Sequence, residues 1–169
     1  IREWYRSRGL GDVYKRQGCD IACVRGPETA MLLDLPLEKA IADGAILLTD
    51  LYPALSKAVR KRPLLIPHVN THWSAGTVLQ DIARRIGIDY ISPDAPFEDF
   101  IQSVRQAEFV VAEAMHGAIL ADAMRTPWIP VNLLQHNRFK WRDMFGSLKL
   151  EYVSYKFGPA IWNLSLIHI

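Results

Sequence analysis

The chain has 169 residues, half of them hydrophobic, with 20 Lys and Arg against 18 Asp and Glu. That composition suits one globular α/β domain with a real core. The small net charge gives no argument for a nucleic-acid or anionic-membrane partner, and no apolar run approaches the roughly 20 residues needed to span a bilayer.

The two ends are unusual. Residues 12–17 read DVYKRQ and residues 164–169 read LSLIHI. The codons GAT-GTG-TAT-AAG-AGA-CAG encode the first, and their reverse complement, CTG-TCT-CTT-ATA-CAC-ATC, encodes the second. That segment resembles the transposon end used in sequencing libraries, and SRGLG at 7–11 resembles the adapter beside it. Residues 1–17 and 164–169 therefore read as adapter read-through and are set aside from fold reasoning; the alternative is a genuine inverted repeat in the gene. The natural part is then expected to be an internal fragment, residues 18–163, with sequence missing on both sides. Setting the ends aside removes five basic and two acidic residues, leaving 15 against 16, a net charge of −1.

Along the remainder, apolar strand-like runs alternate with helix-like runs. Cys19 and Cys23 lie in or beside a predicted strand at 21–24. With no further cysteine they form neither a zinc site nor a disulfide framework, and they read as reduced core thiols of a cytosolic protein. A short helix is predicted over 27–33, with Pro27 suited to its first turn. Residues 46–51 fit either class. A strand is predicted at 64–67, followed by an amphipathic helix over 74–86 with Val78, Ile82 and Ile86 facing inward and Gly87 as its cap. A short strand at 90–91 precedes a helix over 97–107 with Phe97, Phe100, Ile101 and Val104 inward. Then come a strand at 109–112, a helix at 117–124, a strand at 128–131, a helix at 138–148 and a weakly extended pair at 152–153. Strands alternating with helices imply a parallel sheet with helices on its faces, a Rossmann-like domain.

In such a sheet, ligands sit beyond the carboxyl ends of the strands. Residues 113–117 fall at one of them. Amides at the start of the next helix and its dipole favour an anion there. Gly117 lets backbone approach a ligand closely, and His116 can donate a hydrogen bond or a proton near neutral pH. The corner thus suits a phosphate or carboxylate held beside an acid. The equally open reading is that Glu113 and His116 cap the helix and satisfy each other. Arg25, in VRGPET, repeats the arrangement and suits an anion through its planar fork, or else a surface salt bridge to Glu28. His68 and His72 are four apart in PHVNTH, but Pro67 and the preceding strand place them in a loop with no evident third metal ligand; His68 is left as a cleft residue. Asp43 reads as a cap or turn residue. Lys140, in FKWRD, reaches an anion or lies on a solvated helix face. No GxxxxGK[ST] loop, GxGxxG after a strand or GxSxG elbow is present, which weighs against a P-loop nucleotidase, a classical dehydrogenase and an α/β-hydrolase.

VRGPETA at 24–30, DGAILL at 43–48, PLLIPHVN at 63–70 and above all AEAMHGAILADAMRTPWIPV at 112–131 resemble the polysaccharide pyruvyl transferase family. FKWRDMFGSLKL at 139–150 resembles its succinoglycan-type exopolysaccharide branch. The resemblance covers most of residues 20–150. It implies the C-terminal half of a glycosyltransferase-B-like fold of two Rossmann-like halves. It also implies a bacterial enzyme that moves the enolpyruvyl group of phosphoenolpyruvate onto a saccharide, free or lipid-linked, as a pyruvate ketal. Neither cofactor nor metal is then expected, and the setting is cytoplasmic, at the inner face of the membrane through the acceptor. By the same resemblance His116 and Glu113 are the expected catalytic pair, and Arg25, Gly117, His68 and Lys140 the expected donor-binding residues. The family pattern at the corner runs acidic residue, Arg, aliphatic residue, His, Gly; here Ala114 stands at the Arg position. Two other readings remain: a glycosyltransferase of the same shape using a nucleotide sugar, and a non-catalytic binding domain.

Overall fold

Residues 20–56, 60–134 and 137–156 are described by a computed structural model. The stretches ascribed to read-through, and Cys19, lie outside the described residues. In chain order the elements are α1 (Pro27–Leu32), β1 (Leu64–Ile66), α2 (Val69–Ile86), β2 (Asp89–Tyr90), α3 (Phe97–Gln106), β3 (Val110–Ala112), α4 (Met115–Ala123), β4 (Trp128–Asn132), α5 (Arg138–Ser147) and β5 (Tyr155–Lys156). Short 3-10 turns occupy Leu37–Lys39 and Gly44–Asp50. The described residues divide into two units, one of 20–44 with 137–152, the other of those between 45 and 134 with 153–156.

The second unit is the α/β part. Its five strands are parallel throughout, in the order β2-β1-β3-β4-β5, as the alternation of strands and helices predicts. Leaving β1, the chain steps outward to β2 and then crosses back to β3. Right-handed crossovers therefore put α2 on one face and α3 and α4 on the other. Leu64 and Ile66 of β1, Val110 and Ala112 of β3, and Ile101 and Val104 of α3 form the centre of this core. α4 is apolar nearly all round, and Gly117 to Ala121 are all buried, as befits a helix enclosed by its neighbours.

In the first unit α1 packs on α5, and small residues make the approach possible. A Cβ on Gly146 would lie 2.7 Å from Pro27 Cγ. Asp143 of α5 is fully buried; its carboxylate accepts from the Thr29 backbone amide at 2.9 Å and from the Thr29 hydroxyl. It thereby satisfies an amide in the first turn of α1, which has no side-chain cap of its own.

Four expectations need correction. Residues 21–24 form no strand: Val24 makes one isolated parallel bridge to Ala40. Cys23 is exposed and is no core thiol. α2 starts at Val69, and the residues on its buried side are Thr71, Gly76, Leu79 and Ala83, while Val78, Ile82 and Ile86 are 49%, 42% and 64% exposed. The reason is close packing. Gly76 and Ala83 form the side that sits against neighbouring elements, and bulk alone points to the wrong stripe. Phe97, expected inward on α3, is likewise exposed.

A Cβ on Gly26 would lie only 2.0 Å from the Asp143 carbonyl oxygen, whereas one on Gly44 meets nothing within 4 Å. Gly26→Ala should therefore destabilise the chain by about 3 kcal/mol, and Gly44→Ala should be near neutral. Chemical denaturation of the two variants checks this.

Candidate active site

The reversal of strand order after β2 places the topological switch point between β1 and β3, whose carboxyl ends lie side by side with Ile66 opposite Ala112. Two helix N-termini open there, α2 directly after β1 and α4 directly after β3. At each, the first amides have no carbonyl within their own helix, and the dipole is positive.

Glu113 is the first residue after β3 and is 1% exposed. Its carboxylate accepts from the backbone amide of His68 at 2.9 Å, of Leu133 at 3.0 Å and of Leu134 at 2.9 Å. One side chain thus ties together the chain leaving β1, β3 and β4. The Glu113 amide donates in turn to the Ile66 carbonyl.

His116 lies in the first turn of α4, which starts at Met115, two residues before the start predicted from sequence. It is exposed, while Met115 and Gly117 on either side are buried. Ala114 occupies the N-cap and offers no side-chain acceptor. Gly117 has a packing reason: its missing Cβ leaves the space that Ile66 fills, with Ile66 Cδ1 2.9 Å from where a Cβ would stand.

His68 is the N-cap of α2, and its Nδ1 accepts from the Asn70 amide at 3.2 Å. A neutral imidazole accepting at Nδ1 carries its hydrogen on Nε2. His72 is in the helix, not in a loop with His68. Its Nδ1 lies 2.7 Å from Tyr90 Oη and its Nε2 3.1 Å from Ser92 Oγ. Ser92 Oγ also accepts from the Asp94 amide at 3.0 Å. The Tyr90 hydroxyl is pushed up to about 12, first by burial and then by the negative charge of Glu113. Among the described residues no group of three His, Cys, Asp or Glu could hold a metal ion. The buried Thr71 hydroxyl, in the first turn of α2, has no hydrogen-bond partner among them.

The remaining expected residues belong to the first unit. Arg25 sits between the Val24 bridge and α1, and its Nε donates to Asp43 Oδ2 at 2.9 Å. Glu28 pairs instead with Arg142 at 2.7 Å. Asp43, read as a turn residue, is thus the group that orients Arg25. Lys140 lies in the first turn of α5, where its amide is capped by Asn137 Oδ1 at 3.1 Å.

The polysaccharide pyruvyl transferase family pattern matches residues 12–134, most of the chain. The chain belongs to that family. It is also 36% identical over 148 residues to the succinoglycan biosynthesis protein ExoV of Rhizobium meliloti (strain 1021), covering 85% of this chain and 45% of that protein. The chain thus spans less than half the length of that relative. No solved structure matches it significantly. The family match takes in the switch point with both helix N-termini, and Ala114 stands within it. Among the described residues no helix is long and apolar enough to cross a membrane.

The sequence reading missed the bridging by Glu113 and the Ser92–His72–Tyr90 cluster. The first had no local signal, because Leu133 and Leu134 are twenty and twenty-one residues away. The second had a faint one: Gly76 in the middle of a helix, where glycine costs about 1 kcal/mol relative to alanine.

Glu113→Ala should lower stability by about 3–5 kcal/mol, since it strands the buried amides. Glu113→Gln keeps an acceptor for part of the set but aims an NH2 group at the rest, and should cost about 1–3 kcal/mol. A Gln variant as stable as the parent in denaturant would contradict this. For Tyr90 the fold favours the neutral phenol. Its contribution is complete below the unfolded value of about 10 and is lost as pH rises toward 12. Tyr90→Phe should flatten the fall in stability between those two values, measured by thermal melts across the alkaline range.

Proposed function

We propose that this chain forms the donor-binding part of an enzyme that transfers the enolpyruvyl group of phosphoenolpyruvate to a saccharide and closes it as a ketal. One observation carries the reading: two helix N-termini meet at the β1/β3 switch point, with an exposed histidine, His116, in the first turn of one of them. Phosphoenolpyruvate carries a phosphate and a carboxylate on one small carbon skeleton. Paired helix termini suit such an anion.

In this reading His116 binds the donor or protonates its methylene carbon, which makes the central carbon electrophilic. A sugar hydroxyl adds to that carbon, phosphate leaves, and a second hydroxyl closes the ketal. Glu113 is the positioning residue, since its oxygens are engaged by the loop amides. His68 presents Nε2–H as a donor, and Gly117 lets α4 lie close against β1. Arg25, oriented by Asp43, and Lys140 belong to the first unit and are donor-binding residues by the family resemblance alone. The scheme routes no step through a cofactor or metal. The acceptor is a saccharide of an exopolysaccharide or its lipid-linked precursor, which would bring the enzyme to the inner face of the membrane. Succinoglycan biosynthesis by the relative supports an acceptor of this class.

Calorimetric titration of the chain with phosphoenolpyruvate, beside a nucleotide sugar, tests the reading. Phosphoenolpyruvate should bind, and His116→Ala should weaken it about tenfold or more, a loss of about 1.4 kcal/mol. Binding of the nucleotide sugar alone would move the assignment to glycosyl transfer. Binding of phosphoenolpyruvate unaffected by His116→Ala would remove the donor from the α4 corner.

A further inference from the structure

Ser92, His72 and Tyr90 lie outside the groups used so far, yet at the same edge of the sheet. Tyr90 ends β2, Ser92 follows it, and His72 is in the first turns of α2. We propose that they form a proton relay serving the attacking sugar hydroxyl, with Tyr90 Oη as the contact atom and His72 as the base behind it. The proposal rests on the pyruvyl-transfer reading above.

A hydrogen count supports it. In the neutral cluster Ser92, His72 and Tyr90 each bring one polar hydrogen, and two links join them. One hydroxyl hydrogen is therefore always left for something outside. With His72 Nε2–H donated to Ser92, the Tyr90 hydroxyl donates to Nδ1. A lone pair on Tyr90 Oη is then available to a sugar hydroxyl, which leaves the Ser92 hydrogen as the spare. The negative charge of Glu113 acts on this phenol, so Tyr90 lies within the field of the switch-point corner. The same field and its burial keep Tyr90 protonated, so it passes a proton on without holding the negative charge.

The glycine in α2 fits this assignment. A Cβ on Gly76 would stand 2.7 Å from His72 Nδ1 and 3.3 Å from Tyr90 Oη. The helix thus carries its weakest ordinary residue where the His–Tyr contact needs room. His72 itself touches Tyr90 and Ser92, Glu113 at the end of β3 acts on Tyr90, and Asp94 of the loop after β2 donates its amide to Ser92 Oγ while its carboxylate accepts from Trp73 Nε1 at 2.8 Å.

The step balances. The sugar hydroxyl gives its hydrogen to Tyr90 Oη while the Tyr90 hydrogen moves to His72 Nδ1, forming an imidazolium that still donates from Nε2 to Ser92. The electron pair left on the sugar oxygen forms the new C–O bond at the central carbon of the donor. The methylene carbon has taken its hydrogen from His116. One histidine loses a proton and the other gains one, and solvent exchange resets both.

The test compares the chain with Tyr90→Phe, His72→Gln and Ser92→Ala. Phosphoenolpyruvate affinity is read by calorimetry, transfer to a saccharide by phosphate release, and folding by circular dichroism. Tyr90→Phe and His72→Gln should each lower kcat about 100-fold, leave donor affinity within about twofold, and abolish the acid-side fall of the kcat–pH profile. Ser92→Ala, which frees the imidazole tautomer, should lower kcat about tenfold with the acid limb retained. Folded variants that keep the parent kcat and pH profile overturn the relay alone. Loss of donor affinity in step with kcat also overturns it, as a donor-site role. An unsubstituted chain that neither binds phosphoenolpyruvate nor transfers from it brings down the pyruvyl-transfer reading, and the relay with it.

Discussion

The carboxyl edge of the sheet depends on one buried side chain. A carboxylate at 1% exposure is tolerable only if hydrogen bonds replace its lost water. Glu113 finds them in amides that would otherwise be unpaired themselves, at His68, Leu133 and Leu134. Such charge-assisted bonds are roughly twice as strong as neutral ones. Because the donors come from the chain leaving β1 and β4, the side chain couples three strand ends that share no local sequence. The positions of His68 and His116 relative to each other follow from that coupling, since each stands within three residues of a bonded group.

The same arrangement shapes the electrostatics. The carboxylate of Glu113 accepts from the N-cap amide of α2, at His68, and from the Leu133 and Leu134 amides. Ala114 has no side chain with which to cap α4. The N-termini of α2 and α4 both open at the switch point, which is the physical basis for proposing an anion there. The cost is borne nearby, where Tyr90 is held neutral by burial and by the Glu113 field. An exposed His116 and a buried Glu113 also divide the labour. In the proposed reading the accessible group is the one that meets the donor, and the inaccessible one keeps it in place.

The sheet was legible in the sequence because β1, β3 and β4 are short apolar runs with helix-like segments between them, and period and length suffice to see that. The corner at 113–117 was legible as a strand-to-helix junction for the same reason, since the apolar run stops at a charged residue before a helix-like segment. Contact-dependent features were not. The α2 stripe went wrong because Val78, Ile82 and Ile86 have the right period and bulk, whereas the buried side is built on Gly76 and Ala83. Gly117 was read as clearance for a ligand, but the clearance is taken by Ile66. For Arg25 the sequence suggests an anion or a salt bridge to Glu28 three residues away, yet its partner Asp43 is eighteen residues on. Nothing in one sequence reveals such a partner, because the choice between nearby carboxylates is made by the folded backbone.

Strand order gives the proposed chemistry its spacing. β1 lies between β2 and β3, so the end of β2 at Tyr90 and the start of α4 after β3 flank the end of β1. Neighbouring strands are about 4.8 Å apart, which sets the two flanking strands roughly 10 Å apart. Addition across the enolpyruvyl double bond needs a proton delivered to one carbon and an oxygen nucleophile deprotonated at the next. An acid and a base placed together would neutralise each other, and placed much farther apart they could not serve adjacent carbons. In the proposed reaction a gap of two strand spacings would accommodate the donor and one sugar hydroxyl between them. The strand order, with β1 between β2 and β3, sets that gap, and the N-terminus of α2 opens at the end of β1 between the two flanking strands.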